Sequence, residues 1–196
     1  MALWGATDAD ESKPKWMTTA DKKEVLATTS GWVVEAGSVM TGNDNTSSTP
    51  EVLVATGGLT TSLGAATISS VDWITTAADK SAGFTLSVRV RYNEAVDVAT
   101  SNPTVAVTNG NQGSGSGRGP HTLVYASGTG SNELVFSLVI AAANAATAAN
   151  DVLSVAAQNV LLAGGSTIRD AGTSTNAEVA ISSGQGSTAG TLTVVA

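Results

Sequence analysis

The chain has 196 residues, enough for one large or two small domains, and a compact state of that size buries roughly two-thirds of its unfolded surface. Its net charge of -7 argues against a phosphate-backbone partner, which demands clustered Lys and Arg, so nucleic acid is not expected. The absence of Cys removes disulfides and thiolate sites, and only eight aromatic residues occur beside 21 Gly and many Ser and Thr, a mixture that favours short strands and tight turns.

The chain opens with "MALWGATDADE", which has no basic n-region and turns acidic before an apolar run forms, so no signal peptide is expected. Charge is crowded into the first 24 residues, at Asp8, Asp10, Glu11, Lys13, Lys15, Asp21, Lys22, Lys23 and Glu24. Trp is crowded there too: Trp4, Trp16 and Trp32 precede residue 33, and only Trp73 follows. These features define a first module, residues 1–66, ending in the Gly/Thr/Ser-rich stretch "ATGGLTTSLGAAT". Within it, "TTADKKEVLA" reads as a two-turn helix capped by Thr18 or Thr19, followed by two short strands in "GWVVEAG" and "PEVLVAT". The Asn- and Gly-rich segment between those strands reads as a loop. Asp8, Asp10 and Glu11, and likewise "GNDN" at 42–45, carry oxygen ligands, but they lack the Gly and terminal Glu of a calcium loop and read as solvated turns.

The second module, 67–196, is strongly strand-like. In "FTLSVRVRY", Phe84, Leu86, Val88, Val90 and Tyr92 share one face and Thr85, Ser87, Arg89 and Arg91 the other, a half-buried strand. "LVYASGTGSNELVFSLVI" reads as a hairpin that places Leu134, Phe136, Leu138 and Ile140 on the same side of the sheet as Leu123 and Tyr125. Further strands are expected in "TISSVDWI", "TVAVTN", "DVLSVAA", "AEVAISS" and "TLTVVA", with "AAANAATAAN" as a helical turn or crossover between sheets. Trp73 has the parity of Val71 and is expected in the core. The most apolar run, "LVFSLVIAAA", is about half of what a membrane span needs, so no membrane partner is expected.

Chemistry-bearing constellations are sparse. "GNQGSGSGRG" at 110–119 precedes a strand rather than a helix, so it is read as a flexible loop and not as a phosphate cradle. His121, the single histidine, has no Asp and Ser partner in the sequence pattern and reads as an edge or loop residue. No catalytic residue, metal ligand or cofactor site is assigned, and an enzyme is not expected.

The pieces "ISSVDW", "FTLSVRVRYNEAVDV", "PTVAVTNG", "TLVYASGTGSNELVFSLVIA" and "DVLSVAAQNVLLAGGSTIRDAGT" follow one another as in bacterial Ig-like repeats of large adhesins, which residues 67 to about 184 resemble. The insertion "GNQGSGSGRGPH" departs from that pattern. The resemblance implies an all-β, Ig-like β-sandwich preceded by a small irregular N-terminal module. About 55 N-terminal residues, through "MALWGATDADESKPKW", "ADK", "GWVVEAG" and "PEVLVA", are similar to the opening of small structural proteins of marine tailed phages, cyanophage-like viruses in particular. Together the two resemblances imply a capsid decoration or cement protein on the virion exterior. The major capsid protein, and neighbouring copies of the chain, would then be its partners. On that reading Trp4, Lys13, Pro14, Lys15, Trp16 and Trp32 form the capsid-binding set, with Pro14 stiffening an extended arm and the lysines meeting acidic groups. The three Trp residues alternatively form the small core of the first module. A second reading is an Ig-like adhesin module that grips a host-surface glycan through loops near 109–121 and 141–150, and a neck or tail accessory role is a third.

Overall fold

A computed structural model describes residues 17–22, 24–28, 31–34, 36–45, 50–55, 65–100, 102–111 and 119–196. Its first element is a single helical turn, α1 (Thr19–Lys22). Thr18 starts it, accepting from the Asp21 backbone N–H at 3.1 Å and donating to Asp21 Oδ2 at 2.6 Å. The expected second turn is absent, because Val25–Thr28 forms strand β1 instead. Val25 is fully buried and pairs with Val34, so pairing with a neighbouring strand overrides the local helical pattern. Strand β2 (Gly31–Val34) lies between β1 and β3 (Glu51–Val54) in a three-stranded antiparallel sheet. All four β2 residues are buried, as befits a central strand covered on both faces.

The larger sheet begins with β4 (Ile68–Trp73) and a two-residue β5 (Ala78–Asp79). Its long strands are β6 (Phe84–Ala99), β7 (Pro103–Asn111), β8 (His121–Ser127) and β9 (Ser131–Ile140). After these come β10 (Asp151–Ser154), the two-residue β11 (Gln158–Asn159) and β12 (Leu161–Leu162), and then β13 (Thr167–Asp170). The chain closes with β14 (Ala180–Ile181), helix α2 (Ser183–Ala189) and β15 (Thr191–Val195). The ladder runs β13-β6-β9-β8-β7-β10-β15-β5, with β4 on β6, β12 on β7, and β11 paired separately with β14. Opposite β9, β6 pairs first with β4 and then with β13; opposite β8, β7 pairs with β12 and then with β10. Two successive partners along one edge, together with the shift in β6 register between Arg91 and Val96, let the sheet curl over a single core. The fold is all-β and sandwich-like, as expected.

That core follows the predicted faces, with Phe84, Tyr125 and Leu138 only partly buried against it. Leu86, Val88, Val90 and Tyr92 of β6, Leu123 of β8, and Leu134, Phe136 and Ile140 of β9 are fully buried. Tyr125 and Phe136 face each other across the hairpin, ring centroids 6.1 Å apart at 72°. The hairpin tip is laced to β6: Gly130 N–H donates to Val96 O and the Val98 N–H to Thr129 Oγ1. Ala66, placed in the first module by composition, belongs to this core. Residues 141–150 make a run of turns without helix, crossing from β9 to the non-adjacent β10.

Three further expectations need correction. Arg91, assigned to the open face of β6, is only 3% exposed, because the N-terminal module covers that stretch of the sheet. Trp73 is only partly buried; its ring packs on the margin of the core and its Nε1 donates to Gly190 O at 3.3 Å. "AEVAISS" contributes two strand residues and then helix α2, whose formation Gly and Ser had hidden.

Candidate functional site

Among the described residues, buried polar side chains gather in two places that bear on function. The first is the seam between the N-terminal sheet and the outer face of β6 and β9. Register places Arg91 opposite Glu133 and next to Arg89, and β4 supplies Asp72 opposite Arg89. Glu24, between α1 and β1, closes the group from the other module: its carboxylate pairs with the Arg91 guanidinium and accepts from Ser38 Oγ at 2.9 Å. Glu133 Oε1 lies 2.9 Å from Arg91 Nε, Asp72 Oδ2 3.5 Å from it, and Arg89 Nη1 is 3.4 Å from Glu133 Oε2. Burial pulls the Arg91 pKa below its ordinary value and the Glu133 charge opposes that, but a guanidinium starts so high that it keeps its charge. An arginine at this depth among carboxylates is a fixed bolt between modules rather than a mobile recognition group.

Two clefts flank this bolt. One, of about 390 Å3, is bordered by Asp21, Glu24, Thr41, Asp72, Trp73 and Arg89. The other, about 100 Å3, lies beside Ser38, Asn132 and Glu133. Asp21 is held below the usual carboxylate range by the Thr18 hydroxyl and then the Thr41 N–H. In the loop at the rim, the Asn43 amide donates to Ser38 O at 2.8 Å and its oxygen accepts from the Asn45 N–H, so "GNDN" is a turn knitted by its own Asn side chains.

The second place is the end of the large sheet where β7, β8 and the crossover 141–150 meet. His121, Asn109, Thr147 and Asp151 are all buried there. Asn109 Nδ2 donates to Ala146 O at 2.6 Å and sits 3.3 Å from His121 Nε2; Thr147 Oγ1 is 3.0 Å from the same nitrogen. His121 is therefore interior, not the edge or loop residue expected. Its parity with Leu123 and Tyr125 was the available signal, since alternation puts all three on the core side.

Of the capsid-binding set, Trp4, Lys13, Pro14, Lys15 and Trp16 lie outside the described residues. Trp32 is 1% exposed in β2, so its ring is packed inside the first module and presents no surface to a partner. The two glycan loops of the second reading are brought to one end of the sheet through Asn109, His121 and Ala146, although 112–118 lies outside the described residues. Sequence reasoning missed the Glu24–Arg91 pairing altogether: charges on both partners were visible, but nothing local links residues 67 positions apart. No protein-family model, curated protein or solved structure matches the chain.

Proposed function

We propose that this chain is a non-enzymatic virion structural protein, a capsid decoration or cement protein of a tailed phage. The N-terminal module binds the major capsid protein and the sandwich projects outward. The observation that supports it most is the Arg91 bolt. It seats the N-terminal sheet on a sandwich that has its own core, and the charges and Trp residues crowded before residue 17 in the sequence are the attachment segment on this reading. Such a plan suits a protein whose work is repeated contact area, where modest affinity per copy grows through many copies on a symmetric shell. The resemblance of about 55 N-terminal residues to marine phage structural proteins points the same way.

The test is cosedimentation of the full-length chain with undecorated heads of its phage. Trp16→Ala is expected to weaken binding at least thirtyfold, about 2 kcal/mol, as for an interface hot spot. Unchanged affinity in Trp16→Ala and Trp4→Ala together removes the assignment of the attachment to this segment. The adhesin reading is kept because the two loop regions converge at one end of the sheet. Glycan-array binding by the full chain, without sedimentation on heads, favours that reading instead.

A further inference from the structure

The network around His121 goes beyond either functional reading, because its geometry fixes a protonation state. The orientation of the Asn109 amide is set independently of the histidine: Nδ2 donates to Ala146 O at 2.6 Å, and the reversed amide would bring two carbonyl oxygens together. The same Nδ2 faces His121 Nε2 at 3.3 Å, so Nε2 must offer a lone pair. The Thr147 hydroxyl, 3.0 Å away, approaches that same atom. The ring is thus neutral with its hydrogen on Nδ1. Asp151 of β10, fully buried, is the charged group among the described residues whose field reaches the ring, and its Oδ2 accepts from the Ala148 N–H at 2.8 Å.

We propose that His121 is an acid-operated latch on the crossover: a proton on Nε2 turns its lone pair into a donor aimed at the Asn109 amide, and the strip carrying Ala146 and Thr147 lifts from the sheet end while the core stays folded. The strip is bounded on both sides. Lys80 Nζ donates to Asn144 O at 2.6 Å, and the Asn150 N–H donates to Val194 O at 2.7 Å, so the release is confined to residues 145–149. Lifting it uncovers a polar recess formed by Asn109, His121 and Asp151. Burial holds the His121 pKa below its ordinary 6.5, with Asp151 opposing. The released form therefore binds the proton more tightly. The latch is at full strength above pH 6.5 and weakens as pH falls through the interval below it.

Because the chain contains one histidine, its ring signals are unambiguous in long-range 1H–15N spectra of the full-length protein. The expected result is an Nδ1–H tautomer at pH 7.5 and a titration midpoint below 6.5. Amide protection factors at Ala146, Thr147 and Ala148 should fall at least tenfold with that same midpoint while those of Val88 and Phe136 hold. In His121→Gln the protection of the strip should not vary over this range. An Nε2–H tautomer, a strip whose protection ignores the His121 titration, or core amides that open together with it each overturn the proposal. The wild-type measurements decide it even if the Gln variant does not fold.

Discussion

Arg91 and Phe136 stand on opposite faces of the same strand pair, β6 and β9, and different forces hold them in place. Phe136 is enclosed by apolar neighbours and the edge of Tyr125, so truncation removes both transfer energy and contacts that the core cannot remake. Phe136→Ala is expected to cost about 3 to 5 kcal/mol in urea titration, whereas Arg89→Ala, which removes a partly exposed contact with Glu133, should cost under about 1 kcal/mol. Equal, mild effects would mean that the two faces are misassigned. Gly128 at the hairpin tip is a third kind of residue: φ is 117°, and a Cβ would lie 1.8 Å from Glu133 O. Gly128→Ala must therefore open the hairpin, with loss of the Thr129 N–H bond to the Tyr125 hydroxyl and a lowered melting temperature.

At the scale of elements, alternation made β6, β8 and β9 legible, because eleven apolar positions keep period two through Phe84–Tyr92 and the hairpin arms. It could not show what covers the other face, and so Arg91 was read as solvated. Two-residue strands such as β5, β11 and β12 are too short to display any period. Helix α2 was missed for a different reason. "SGQGSTA" has poor intrinsic helix propensity, yet Ser182 and Gln185 form a reciprocal capping box, a Ser-x-x-Gln signal that was present in the sequence. Tertiary packing supplies the rest: a Cβ on Gly186 would come within 2.4 Å of Val155 O, so glycine is what lets this helix lie directly on the backbone after β10. Ser182→Ala should lower stability by about 1 kcal/mol. Gly186→Ala should cost more than that despite alanine's better helix propensity, and a rise in melting temperature on Gly186→Ala would show that the close approach is not what selects glycine.

For the whole molecule the issue is whether the two modules share stability or merely share a chain. Among the described residues, the buried cluster of the sandwich begins at Ala66 and includes none from β1, β2 or β3. A fragment of residues 65–196 is expected to fold as an all-β domain by circular dichroism. In the intact chain, Arg91 is only 3% exposed and the carboxylate of its N-terminal partner, Glu24, only 9%. Replacing Arg91 by Met there leaves Glu24 enclosed without its cation, and removing one partner of a buried ion pair costs far more than the pair itself contributes. In the 65–196 fragment Glu24 is gone, and Glu133 and Asp72, already partly exposed, gain further access to water. Arg91→Met should thus be markedly destabilising in the full chain and mild in the fragment. The difference, read from urea titrations of the four proteins, is expected to be about 1 to 3 kcal/mol of coupling. Coupling near zero would mean that the Glu24–Arg91 contact does not join the modules.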